Sequence, residues 1–132
     1  MIDILPLHDA YFDGAILRRD GADLHFRCAD GRPCMVHLAG IDALQMEDFR
    51  EGNIVSHFEA VSGELPRDFG EWERLYPDPH PSAARDYHRK YDLFMAGKRS
   101  SIAEGKLTIV LMSAVLGADL LAVCKSVRIE GR

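Results

Sequence analysis

The sequence has no Cys-x-x-Cys, no His-x-His or His-x-x-x-His, no Gly-x-Gly-x-x-Gly or Walker-type loop, and no Gly-x-Ser-x-Gly. Their absence removes the short spacings that build zinc sites, phosphate cradles and nucleophile elbows. No apolar run approaches the ~18 residues of a membrane span. There is no basic excess: the formal net charge is −5, which argues against a chain built to grip nucleic acid. Cysteine is sparse, at Cys28, Cys34 and Cys124. An odd count is unlike a secreted disulfide framework, and reduced, buried thiols in a cytoplasmic protein are expected. The start, Met1-Ile2-Asp3, has no basic segment before an apolar one, so no signal peptide is expected. No metal and no cofactor are expected, and the balance leans away from an enzyme.

What remains is 132 residues at 47% apolar content, enough for one core and one domain. The organising stretch runs from Gly14 to Val61. Arg19-Asp20-Gly21 and Ala29-Asp30-Gly31 have the same x-Asp-Gly form between alternating runs. In a three-residue hairpin loop the third residue takes positive φ, which glycine does without steric cost. Loop length sets register. Arg18 is then expected opposite Ala22, and Ile16 opposite Leu24. Cys28 falls opposite Arg32, Phe26 opposite Cys34, Leu24 opposite Val36 and Ala22 opposite Leu38. One face of three strands would hold Ile16, Ala22, Leu24, Phe26, Cys28, Cys34, Val36 and Leu38. The other would hold Leu17, Asp23, His25, Arg27, Met35 and His37. Cys28 and Cys34 sit diagonally, too far apart for an unstrained bridge.

Around this meander, Ile2–Leu7 reads as a short edge strand or extended arm, with Pro6 unsuited to an interior ladder. The third strand runs to about Leu44 and a fourth covers Ile54–Val61, with the polar connection Glu47–Asn53 between them. Residues 64–81 carry Pro66, Pro77, Pro79 and Pro81 among Phe69, Trp72 and Tyr76. That density forbids a long helix and implies a connection or lid, with at most a helical turn near Phe69–Leu75. Pro81-Ser82 and Gly97 bracket an amphipathic helix over 82–96, with Ala84, Tyr87, Tyr91, Phe94 and Met95 on one face. Lys106–Ser113 and Asp119–Ile129 close the chain within a hairpin over 105–130. The second of these runs also suits helical spacing; the Gly117-Ala118-Asp119 turn favours strand. The fold class is therefore α+β and mainly antiparallel β. It is a meander-based curled sheet or two-layer sandwich of about seven strands, with one helix over an open end or face.

For chemistry, His37 is expected opposite Asp23 with His25 diagonal to it, a conceivable metal or acid–base cluster that also reads as ordinary decoration of a half-exposed sheet face. Adjacent His8 and Asp9 point apart on a strand; Asp9 reads as a turn residue and His8 as a buried hydrogen-bonding one. Trp72, Tyr76, Tyr87 and Tyr91 form an aromatic group. It either lines a binding groove between lid and sheet or seals the helix onto the sheet.

Leu7-His8-Asp9-Ala10, Leu38-Ala39-Gly40-Ile41-Asp42-Ala43-Leu44 and Glu51-Gly52-Asn53-Ile54-Val55 carry a family likeness. Over residues 5–61 the chain resembles small bacterial β-rich proteins of the polymorphic-toxin immunity type. The resemblance implies a cytoplasmic binding protein without catalysis and supplies no catalytic residues. The connection at 64–81 and the helix that follows depart from that pattern.

Three readings follow. The first is a non-catalytic binding module, immunity-like, whose negative charge would speed encounter with a basic partner. The second is a small-ligand-binding or enzymatic β-fold with a pocket under the helix and lid. The third is a homo-oligomeric protein, such as a homodimer, pairing through an edge strand.

Overall fold

The computed structural model describes residues 2–3, 7–64 and 72–131. Among the described residues there are seven strands: β1 (Ile2–Asp3), β2 (Tyr11–Arg18), β3 (Gly21–Arg27), β4 (Pro33–Glu47), β5 (Asn53–Val61), β6 (Thr108–Leu116) and β7 (Asp119–Gly131). A 3-10 turn at Trp72–Leu75 and a helix α1 (Arg85–Ala103) lie between β5 and β6. All pairings are antiparallel, in the order β1-β5-β2-β3-β4-β7-β6. β6 also pairs with β5, so β2 to β7 close into a six-stranded ring. The curl expected from sequence goes to closure.

The second hairpin has the expected register. Phe26 pairs with Cys34, Leu24 with Val36 and Ala22 with Leu38, and Gly31 takes φ +88° at the loop. The first hairpin differs. Its loop has two residues, so Arg18 pairs with Gly21, Leu17 with Ala22, Ile16 with Asp23 and Ala15 with Leu24. Gly21 is not in the left-handed region. It is required by close approach, since a Cβ there would stand 2.3 Å from the Leu38 carbonyl oxygen. Ile16, expected inside beside Leu24, therefore lies on the outer face opposite Asp23. The Asp-Gly pair alone did not distinguish a left-handed turn glycine from one needed for lack of room.

The interior is filled by side chains from every strand of the ring, including Leu24, Val36, Val110, Met112 and Leu120. Phe26 stands between Phe12 and Phe58, with centroids 5.2 and 5.9 Å away. β4 and β7, at 15 and 13 residues, are the longest strands. A register shift between Ile41 and Ala43 bends β4. Asn53, 1% exposed, ties the closure. Its Oδ1 accepts from the amides of Arg50 (2.8 Å) and Ala118 (2.9 Å), and its Nδ2 donates to the carbonyls of Phe12 (3.2 Å) and Arg50.

The helix starts three residues later than expected and runs through Gly97 to Ala103. The stop is Gly105, at φ +80°. The amides of Gly105 and Lys106 return to the carbonyls of Ile102 and Ser101, as in a Schellman ending. The buried stripe is Met95 and Ile102 with Tyr91 beside them, while Tyr87 and Phe94, expected on that face, are exposed. The helix covers the outside of β6 and β7, where Trp72, Met95, Ile102, Ile109, Leu121 and Val123 form a second core. The space expected beneath it is filled. β1 spans only Ile2–Asp3 of the expected Ile2–Leu7 strand; residues 4–6, and 65–71 of the lid, lie outside the described residues.

Candidate functional site

Closure is incomplete around the ring. Among the described residues, β2 beyond Phe12 has only β3 beside it, and β7 beyond Cys124 has only β4. β2, β3, the first half of β4 and the end of β7 thus form a four-stranded flap. Its inner face packs on the core and its outer face meets solvent. Strand alternation puts Arg18, Asp23, His25, Arg27, Met35, His37, Arg128 and Glu130 on that outer face.

Asp23 and His37 meet as expected: His37 Nδ1 lies 2.7 Å from Asp23 Oδ1. The partners beyond them were not foreseen. Arg18 Nε donates to Asp23 Oδ2 at 2.5 Å. His37 Nε2 lies 2.8 Å from Glu130 Oε2. Carboxylates only accept, so both imidazole nitrogens donate and the ring is a cation. The bond to Asp23, and then that to Glu130, raises the His37 pKa above its ordinary value. The bond to His37, and then that to Arg18, holds Asp23 below the usual carboxylate range. Asp23 is only 6% exposed, and this pairing satisfies its charge. With no lone pair left, His37 is neither a ready base nor a metal ligand. Among the described residues, no group of three or more His, Cys, Asp or Glu is arranged to hold a metal ion.

Beside this network is a shallow cavity of about 310 Å³, lined by Asp13, His25, Arg27, Cys34, Met35 and Glu130 among others. Arg27 closes one side, bidentate on Asp13 at 2.7 and 3.0 Å and 5.0 Å over the Tyr11 ring. His25 Nε2 is shielded and has no hydrogen-bond partner. Burial raises the Cys34 thiol pKa, and raises that of Cys124 to about 11, so neither is an activated nucleophile.

The aromatic group divides. Trp72 is 1% exposed beneath the helix and meets Tyr76 edge-on at 6.2 Å. Tyr91 donates its hydroxyl to the Tyr76 carbonyl at 2.6 Å. Tyr76 donates to Asp42, and Lys98 pairs with the same carboxylate at 2.7 Å. Burial and then Asp42 raise the Tyr76 pKa. These three rings seal the helix onto the barrel, whereas Tyr87 stands apart in solvent at 67% exposure. His8 is exposed rather than buried, though its Nδ1 reaches the Ser56 carbonyl at 2.6 Å; Asp9 holds the turn at φ +63°.

Arg18 and Glu130 were missed because each reaches the site through pairing the sequence did not fix. Arg18 joins Asp23 once the first loop shortens. Glu130 joins His37 only because β7 lies along β4, 93 residues away in sequence. No family model matches the chain, and neither the curated proteins nor the solved structures give a match. Among the described residues, no helix is long and apolar enough to cross a membrane.

Proposed function

We propose that this protein is a non-catalytic binding module whose contact surface is the outer face of the β2–β3–β4–β7 flap. The observation that carries this is His37 held between two carboxylates. That arrangement commits the histidine to bracing three strands and leaves a rigid polar face with a cavity at its side. Preorganised faces of this kind bind without a large ordering cost. His25 Nε2 is unsatisfied and adjoins the cavity, so a partner inserting a polar group there would meet a waiting nitrogen. The likeness to immunity proteins narrows the partner to a toxin and the compartment to the cytoplasm; the proposed face itself is of mixed charge, with Arg18, Arg27 and Arg128 beside Asp23 and Glu130, and so suits a partner of mixed polarity.

The test is growth rescue by co-expression with the product of the adjacent reading frame. The protein should abolish that product's toxicity and form a complex of fixed stoichiometry. Met35→Arg, which fills the cavity, should lose both effects while His37→Gln keeps most of each. Full protection by Met35→Arg would remove this face from the reading.

A small-ligand reading has one observation in its favour. A cavity of about 360 Å³ beyond the end of the helix layer is lined by Gln45, Glu47, Arg74, Ser113 and Asp119 among others, and Gln45 Oε1 is shielded there without a partner. A ligand that raises the melting temperature of the parent but not of Glu47→Gln would favour it.

A further inference from the structure

Where the flap leaves the ring, the barrel has an unsealed mouth. A cavity of about 520 Å³ opens there between the β2–β3 turn, the bend of β4 and Leu107 ahead of β6. Leu17 pairs with Ala22 and so shares its inward face. Ala22 is 1% exposed, yet Leu17 is 70% exposed. Ile41 and Leu44, which rest on the core, continue the apolar wall with Leu107. The rim is tied: the Gly40 amide donates to the Asp20 carbonyl at 2.6 Å, holding the turn to β4. Gly40, at φ +62°, also makes room for Lys125. A Cβ there would stand 2.6 Å from Lys125 Cδ and 2.7 Å from its Cγ, so the lysine stem lies across the glycine at the rim.

The charge at this mouth runs against that of the chain, which is −5 overall. The charged residues lining it are Arg18, Arg19, Asp20, Asp42 and Lys125. Arg18 is bonded to Asp23, and Asp42 accepts from the Tyr76 hydroxyl and from Lys98 at 2.7 Å. Among the described residues, the side chains of Arg19, Lys125 and Asp20 have no hydrogen bond or ion pair. One positive charge is therefore in surplus beside an apolar wall. We propose that the mouth binds an amphipathic monoanion, a medium-chain carboxylic acid. Its tail lies along Leu17, Ile41, Leu44 and Leu107, and its carboxylate meets Arg19 and Lys125. Small-molecule sites pair an apolar lining with a few placed polar groups, occur in barrel mouths, and run to roughly 300–1,000 Å³. Asp20 and Asp42 set the charge of the head. A single negative charge matches the surplus, whereas a phosphate dianion meets repulsion from both carboxylates. The site is on the inward side of the flap and does not rest on the proposed contact face.

Titration of the full chain with octanoate, followed by amide chemical shifts, tests this. Saturable shifts should appear at Leu17, Arg19, Gly40 and Lys125. From hexanoate to octanoate the affinity should rise by up to about fourfold per methylene. Octanamide, with the same tail and no charge, should bind about tenfold more weakly. Lys125→Met keeps a stem over Gly40 without the charge and should weaken octanoate about threefold. Leu17→Glu, at an exposed position, should abolish binding with little change in melting temperature. Lys90→Met, on the helix, should change nothing. The proposal would be overturned by the absence of saturable shifts at millimolar octanoate, or by equal binding of octanoate and octanamide. Full octanoate binding by both Lys125→Met and Leu17→Glu would overturn it too, as would shifts confined to the cavity beside Met35. A peptide ending in Leu-Leu with a free carboxylate, if bound more tightly than octanoate, would replace the free acid with a chain terminus.

Discussion

β3 and β6 are neighbours of the same core, yet they are written differently. β3 alternates strictly: Ala22, Leu24 and Phe26 point inward, while Asp23, His25 and Arg27 lie on the outer face, where Asp23 is buried in its ion pairs and Arg27 is exposed. β6 is apolar through Ile109, Val110, Leu111 and Met112, because Val110 and Met112 face the barrel interior and Ile109 and Leu111 face the helix. A strand with one wet face announces its period; a strand covered on both faces does not. The difference makes outward positions unequal. Phe26→Ala, inward on β3, should cost about 4 kcal/mol, and Ile109→Ala, outward on β6, about 3 kcal/mol, as core truncations do. Arg27→Ala, outward on β3, should leave the urea midpoint nearly unchanged. Equal, mild effects of Ile109→Ala and Arg27→Ala would mean that the helix does not pack on β6.

A second break in the comparison is polar. The wet flap holds its charges in pairs at the surface, whereas the ring's closure depends on one buried amide. Asn53→Ala should cost about 2–3 kcal/mol, because the Ala118 and Arg50 amides and the Phe12 carbonyl lose a partner where water enters poorly. Hydrogen exchange should show the β6–β7 turn opening before the flap. Exchange that begins in β3 instead would contradict this account of the closure.

The same contrast explains what could be read beforehand. The β3–β4 register, the meeting of Asp23 with His37 and the mainly antiparallel character all follow from alternation and one left-handed glycine at Gly31, which are local signals. The ring itself, the hub at Asn53 and the arrival of Glu130 at His37 depend on contacts between distant strands that no local pattern encodes. Asn53 reads as loop polarity in a run from Glu47, and only the turn packed against it reveals the hub: a Cβ on Gly117 would stand 2.1 Å from Asn53 Oδ1. The strand assignment of Asp119–Ile129 was ambiguous for the reason that applies to β6, since Leu121 and Val123 face the helix while Leu120, Ala122 and Cys124 face inward.

A smaller effect separates the flap from the helix layer by pH. The folded pKa of His37 is raised from 6.5, so its contribution to stability is complete below about pH 6.5 and is lost as pH rises through the folded value. That of Asp23 is lowered from 3.8, so its contribution is complete above about pH 4 and is lost as pH falls through the folded value. The network's support therefore peaks between about pH 4 and 6.5. His37→Gln should flatten the alkaline fall in melting temperature, and NMR titration of the ring should give a midpoint above that of a free histidine. An unchanged alkaline limb in the variant would show that the imidazolium does not brace the flap.

The smallest effect tests the helix layer on its own solvent side. Gly97 reads as a stop, yet α1 passes through it, held by the inward stripe of Met95 and Ile102 and ended by Gly105. Packing has overridden a weak local signal there, and a residual cost in backbone entropy remains. A Cβ at Gly97 would meet nothing within 4 Å, and its φ is not in the left-handed region. Gly97→Ala should therefore stabilise the protein by about 0.5–1 kcal/mol, seen as a higher urea midpoint with an unchanged slope. Gly105→Ala, at φ +80°, should do the reverse. If the two substitutions acted alike, the helix would end at Gly97, and the second core beneath its last two turns would have no lid.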